Sequence, residues 1–183
     1  MAGPVRVEPL AKDQRSQRQQ ELVDEAGGEL GVFTTLVHHV DLFADLLPLG
    51  GRLLRRSSLD AVDRELLILR TAAQCGASYE WSHHDPIGRR AGLNDDVIPL
   101  LADLGGTNGL RPHEARLARA ADELVTEHRL SDQTWEELRQ DYEQNQVMEI
   151  CMLVGSYTML AGTLNSLGVA VEPGYPVAPW ERA

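Results

Sequence analysis

The chain has 183 residues, 43% of them hydrophobic, which suits one compact domain with a sizeable core rather than two. Twenty-eight acidic against seventeen basic residues leave a formal charge of -11. Such a surface repels phosphate backbones and anionic lipids, so neither nucleic acid nor a membrane surface is an expected partner. The cysteines, Cys75 and Cys151, form neither a CxxC pair nor a metal-type spacing and suit a reducing cytoplasm.

In chain order, residues 1–28 read as an arm that need not be fixed to the rest. It lacks the apolar run of a secretory signal, is polar over 10–26, and stops at Gly27-Gly28. From Val32 to Leu54, Phe33, Leu36, Val37, Val40, Phe43, Leu46 and Leu47 recur at helical spacing, with an interruption at Pro48-Leu49-Gly50-Gly51. This predicts two short helices meeting at a bend. Asp60 is placed to cap a helix running towards Gly76, a second helix runs from Ser78 or Tyr79 to Gly92, and Asn94 caps a third over 97–104. Gly105 to Gly109 reads as a surface loop, 112–128 as an amphipathic helix, and Ser131 as the cap of the next.

From Ile150 to Val171, twenty-two residues carry no formal charge, a length sufficient to span a bilayer. The small and polar residues within it, Gly155, Ser156, Gly162 and Asn165 among them, and the lack of a basic flank favour a helix buried in the protein or at a subunit interface. The proline-rich tail, 172–183, is expected to be extended and to lie across a neighbour through Trp180. An all-α fold follows, with a single domain over 29–171 and no internal repeat.

The chemistry concentrates in RELLILRTAAQCGASYEWSHHDPIGRRAG, residues 64–92. Glu80 and His84 are four apart and share a helical face, while Glu65 stands one helix earlier beside an apolar run. Two carboxylates and an imidazole under apolar cover can pass a proton among themselves, which serves abstraction next to a carbonyl or protonation of an enolate. Three other readings stand beside this one. The Glu80–His84 pair can be a surface pair, Glu65 can form a structural salt bridge with Arg64 or Arg70, and the three residues can hold a divalent metal, although no HExxH or ExxH run supports that. His83 points about 100° away from His84 on a helix, so the spacing from Glu80 favours His84. His38 and His39 are weaker candidates for the same pocket, and Tyr79 and Trp81 are either its walls or core packing. Cys75 reads as a small buried hydrophobe.

At these residues the chain resembles the carboxymuconolactone decarboxylase family, which includes the alkylhydroperoxidase AhpD-like proteins, over most of its length after about residue 30. In the AhpD-like peroxidases a glutamate is followed by thiols at +12 and +15 and a histidine at +19; from Glu65, this chain has Ala77, Glu80 and His84 there. The register is kept and the thiols are gone, so CxxC peroxidase chemistry is not expected.

The resemblance implies an AhpD-like helical bundle, commonly assembled as a homotrimer or homohexamer (a dimer is also open). It implies a lyase or isomerase of the decarboxylase type acting on a small oxo-acid or lactone, with no cofactor and no metal. Glu65, Glu80 and His84 are then catalytic, and Tyr79, Trp81, His83, His39 and Arg70 are candidates for substrate contact, with Arg89 a further choice for a substrate carboxylate. A thiol-dependent protein using Cys75, or a binding module that has lost its chemistry, are the alternatives.

Overall fold

The computed structural model describes residues 3–181, so the outermost two positions of the arm and of the tail lie outside the described residues. Within that range the chain is all-helical. The helices are α1 (Gln17–Ala26), α2 (Gly31–Leu36), α3 (Val40–Arg55), α4 (Ala61–Gln74), α5 (Ser78–Ala91), α6 (Ile98–Ala102), α7 (Pro112–Thr126), α8 (Asp132–Leu138) and α9 (Gln144–Leu167).

Helix α4 is central because residues 65–73 offer no polar face to solvent and all are buried, Glu65 and Arg70 included. A helix of that kind must be wrapped on every side, and α5, α6, α7 and α9 do so. Leu66, Leu67, Ile68 and Leu69 meet Leu117 and Ala121 of α7 and Ile150 and Leu153 of α9 in the main core. The cost of burying the Arg70 charge is offset by a full set of partners. Its guanidinium donates to Asp122 at 2.6 and 2.8 Å and to the carbonyls of Leu101 and Asp103 at 3.1 and 2.7 Å.

Two of the three expected caps are in place; Asn94 instead accepts from the Asp96 amide at 3.1 Å in the turn before α6, whose N-cap position, Val97, has no side-chain cap. Asp60 accepts from the Val62 amide at 2.8 Å, Ser131 caps α8, and α5 ends at Gly92, whose φ of +107 suits glycine. Three boundaries differ from the sequence reading. The bend falls at residues 37–39, where His39 accepts from the Leu42 amide at 3.3 Å and opens α3; the helix then continues through Pro48. Helix α6 stops at Ala102, short of 104, because Asp103 turns extended and gives its carbonyl to Arg70. Helix α9 starts at Gln144 and ends at Leu167, whose carbonyl accepts from the amides of Arg6 and Val7.

Residues 17–26, inside the segment read as an arm, form a helix closed by a capping box between Ser16 and Gln19. Leu22 and Val23 of this helix pack with Val37 and Phe43. Helix α9 buries Val147, Ile150, Val154, Tyr157, Ala161 and Leu164 on one face and exposes Met148, Met152 and Met159 on another. It is long and apolar enough to cross a membrane by length and composition, but the buried face belongs to the core of this domain.

Candidate functional site

Glu80, His84 and Gly88 follow one another at four-residue steps and form one stripe of α5. Gly88 marks a close approach to α4: a Cβ there would stand 3.4 Å from Leu69 Cδ1 and 3.5 Å from Glu65 Cβ. One turn earlier, that approach puts His84 Nδ1 2.7 Å from Glu65 Oε2. The other carboxylate oxygen accepts from Arg64 Nε at 3.1 Å. On its far side, His84 Nε2 lies 2.9 Å from the hydroxyl of Tyr157, brought in by α9. In the tautomer whose Nδ1 donates to the Glu65 carboxylate, Nε2 is left to accept from the Tyr157 hydroxyl. The result is a buried Glu65–His84–Tyr157 relay.

Glu80 is buried nearby, and neither of its carboxylate oxygens has a hydrogen-bond partner among the described residues. Desolvation pushes its carboxyl well above the usual carboxylate range, so Glu80 keeps its proton where an ordinary glutamate has lost it. The expected Glu80–His84 proton pair is therefore not a hydrogen bond; four-residue spacing gives a shared face, and the His84 ring is committed to Glu65 and Tyr157. The Tyr157 hydroxyl is also driven well up, first by burial and then by Glu80 and Glu65, whose carboxylates oppose a phenolate once ionised. Tyr157 thus stands within electrostatic reach of both acids. It also walls an apolar cavity of about 150 Å³ formed with Val32, Phe33, Leu36, Phe43 and Leu47.

The other expected contacts lie elsewhere. His83 stacks between Tyr79 and Tyr175, with ring centroids 4.3 and 3.9 Å away, and its Nε2 is 2.7 Å from Glu172 Oε2. Burial lowers the His83 pKa against the opposing pull of Glu172. Tyr79 donates to Glu172 at 2.9 Å and accepts from the Val32 amide at 3.1 Å. Trp81 is core, set edge-on to Trp180 at 5.2 Å. Arg70 is spent on Asp122 and the end of α6. His39 caps α3 and, with His38, lines a groove between α2, α3 and α9 that adjoins the cavity, sharing Leu36, Phe43 and Leu46 with it. Arg89 pairs with Asp85 at 2.5 Å on the outside of α5. Of the two partners considered for Glu65, Arg64 is the one that binds it.

Among the described residues, no group of three or more His, Cys, Asp or Glu side chains is placed to hold a metal ion. Cys75 and Cys151 are free, and burial pushes both thiols up, away from the thiolate that peroxide chemistry needs. Tyr157 is the member of the relay that the sequence reading missed. Its signal was a phenol in the otherwise aliphatic stripe Ile150, Val154, Ala161, Leu164.

An all-helical domain with a buried Glu–His–Tyr relay under its central helix pair is the class of protein these features define. Residues 41–123, from the first turn of α3 into α7, match the sequence model of the carboxymuconolactone decarboxylase family. Among solved structures, the alkylhydroperoxidase AhpD core of an uncharacterised peroxidase-related protein from Ralstonia eutropha JMP134 is similar, at 22% identity and a TM-score of 0.75, covering 94% of this chain and 95% of that one. A peroxidase-related protein from Silicibacter sp. TM1040 gives 14% identity and a TM-score of 0.78, with 94% of each chain covered. The debrominase Bmp8, as an alanine variant in complex with 2,3,4-tribromopyrrole, gives 15% and 0.70, covering 94% of this chain and 95% of that one. The fold is thus AhpD-like. No curated protein matches the chain in sequence.

Proposed function

We propose that the protein is a cofactor-independent lyase or isomerase that moves a proton on a small oxo-acid or lactone. The observation that carries this reading is the bridging of Glu65 and Tyr157 by His84, with Tyr157 forming a wall of the cavity. In the proposed step, the Tyr157 oxygen takes a proton from carbon next to the substrate carbonyl while its own proton passes to His84 Nε2. Glu65 stabilises the resulting imidazolium, Glu80, held neutral, gives a proton to the enolate, and the extra proton on His84 then returns to Glu80 by way of solvent, so that each group ends as it began. A neutral Glu80 beside a relay that can take up a proton supplies an acid and a base, the pair that acid–base catalysis uses. The family match supports the reaction class, and the raised thiols speak against the thiol-dependent alternative. The small-ring ligand of the debrominase supports a ring-sized substrate. The partner we propose besides substrate is a second copy of the chain, through the exposed face of α9.

The test is exchange in D2O: a panel of small 2-oxo-acids and lactones is incubated with the protein, and loss of α-protons or of carboxylate carbon is followed by NMR. At least one compound is expected to react, and His84→Ala or Glu80→Gln to slow it by roughly two orders of magnitude while the protein stays folded by circular dichroism. Equal rates for the native protein and both variants would overturn the assignment.

A further inference from the structure

The cavity beside Tyr157 is almost wholly apolar, yet it is not closed by apolar residues alone. Its lining includes one formally charged side chain, Arg55, and no acidic one. Arg55 is in the last turn of α3 and makes no ion pair or hydrogen bond among the described residues, in a chain where most arginines do. Its guanidinium folds back along the helix: a Cβ on Gly51 would stand 2.9 Å from Arg55 Nη2. Gly51 therefore leaves the space in which that cation lies at the rim. Gly50, also in the lining, has open space where a Cβ would stand. Two successive glycines inside a helix lower its stability, and here they keep room beside the cavity and seat a cation at its edge.

We infer that this cavity binds an apolar monocarboxylate about the size of one aromatic ring, its body against Phe33, Phe43 and the Tyr157 ring and its carboxylate on Arg55. The size follows from volume: an apolar cavity of about 150 Å³ accommodates a benzene-sized group. The single charge follows from the lining, because a second carboxylate would be buried among aliphatic side chains without a partner. An arginine also matches the planar carboxylate better than a point cation would, through paired N–H donors. The net charge of -11 repels anions at long range, so the local cation decides whether one can dock. This inference deepens the proposed function, since it places the apolar body of the substrate against the tyrosine of the relay.

Phenylacetate, an inert one-ring monocarboxylate, is the probe, with phenylacetamide as its neutral isostere. Calorimetric titration of the full chain should show saturable 1:1 binding of phenylacetate and about tenfold weaker binding of the amide. Arg55→Gln should bring the acid down to the level of the amide. Gly50→Leu, which suits a helix better than glycine and fills the open space, should abolish binding of both. Melting temperatures near the native value show that the variants are folded. Absent binding of phenylacetate to the native protein, equal binding of acid and amide, or unchanged binding in Gly50→Leu would each overturn the inference. Proton exchange on an oxo-acid without phenylacetate binding would sink this inference and leave the relay standing; binding without any exchange would do the reverse.

Discussion

A carboxylic acid without a hydrogen-bond partner is tolerated inside a protein only while it keeps its proton. Glu80 is in that position, and its stability contribution has a definite sign. Its folded pKa is raised, so above the ordinary value of 4.5 the unfolded chain has lost a proton that the folded chain still holds. The contribution is therefore complete below 4.5 and is lost as pH rises towards the folded pKa, at up to about 1.4 kcal/mol per pH unit. Glu80→Gln keeps the shape and removes the titration. Urea melts of the two proteins from pH 4 to 8 are expected to diverge, with the variant gaining on the native protein as pH rises; parallel curves would mean that Glu80 is ionised and partnered. Glu65 and His84 could be read from the sequence because a helical hairpin with a fixed turn holds a nineteen-residue separation in register. Tyr157 left only a phenol in an aliphatic stripe as its sign, since what it meets depends on how α9 packs over α4, and no local spacing encodes that.

At the scale of elements, the C-terminal tail shows how one side chain can hold three segments. The Glu172 carboxylate accepts from the Gly31 amide in the first turn of α2 at 2.6 Å, from Tyr79 at 2.9 Å and sits 2.7 Å from His83 Nε2. The first amides of a helix have no partner within it, so a carboxylate there is favoured. These bonds outweigh partial burial and hold the Glu172 carboxyl below its ordinary range. Glu172→Ala should cost roughly 2–4 kcal/mol at neutral pH, read from the urea midpoint. Because the folded pKa is lowered, that advantage exists above 4.5 and disappears as pH falls below it, so the two proteins should converge in acid. Equal midpoints at neutral pH would show that the tail is not held by this residue. The tail was legible as extended from its prolines, but its anchor was not, because the partners lie on α2 and α5, far away in sequence. Among the elements, the helices capped by Asp60 and Ser131 were legible, whereas α1 was not despite its Ser16 cap, and the end of α6 was misplaced because a distant arginine sets it.

For the whole molecule the open question is what covers α9. Met148, Met152 and Met159 are each more than half exposed along one side of that helix, and Leu42 of α3 lies exposed across the groove that Met159 lines. A contiguous apolar stripe of this kind usually marks a contact surface, and flexible methionines adapt well to one. A copy of the same chain is the occupant we propose, because a surface of net charge -11 meets itself most readily where no charge is carried, and α9 carries none from Ile150 onward. Added salt screens the remaining repulsion, so assembly should strengthen from low to moderate ionic strength. Native mass spectrometry or sedimentation at micromolar concentration is expected to give a trimer or hexamer. Met152→Glu, which places a carboxylate in the middle of the stripe without touching the core, should release monomers that keep their helical content. An assembly that ignores Met152→Glu would put the interface on another face, and a native monomer would leave the α9 stripe uncovered and defeat the proposal.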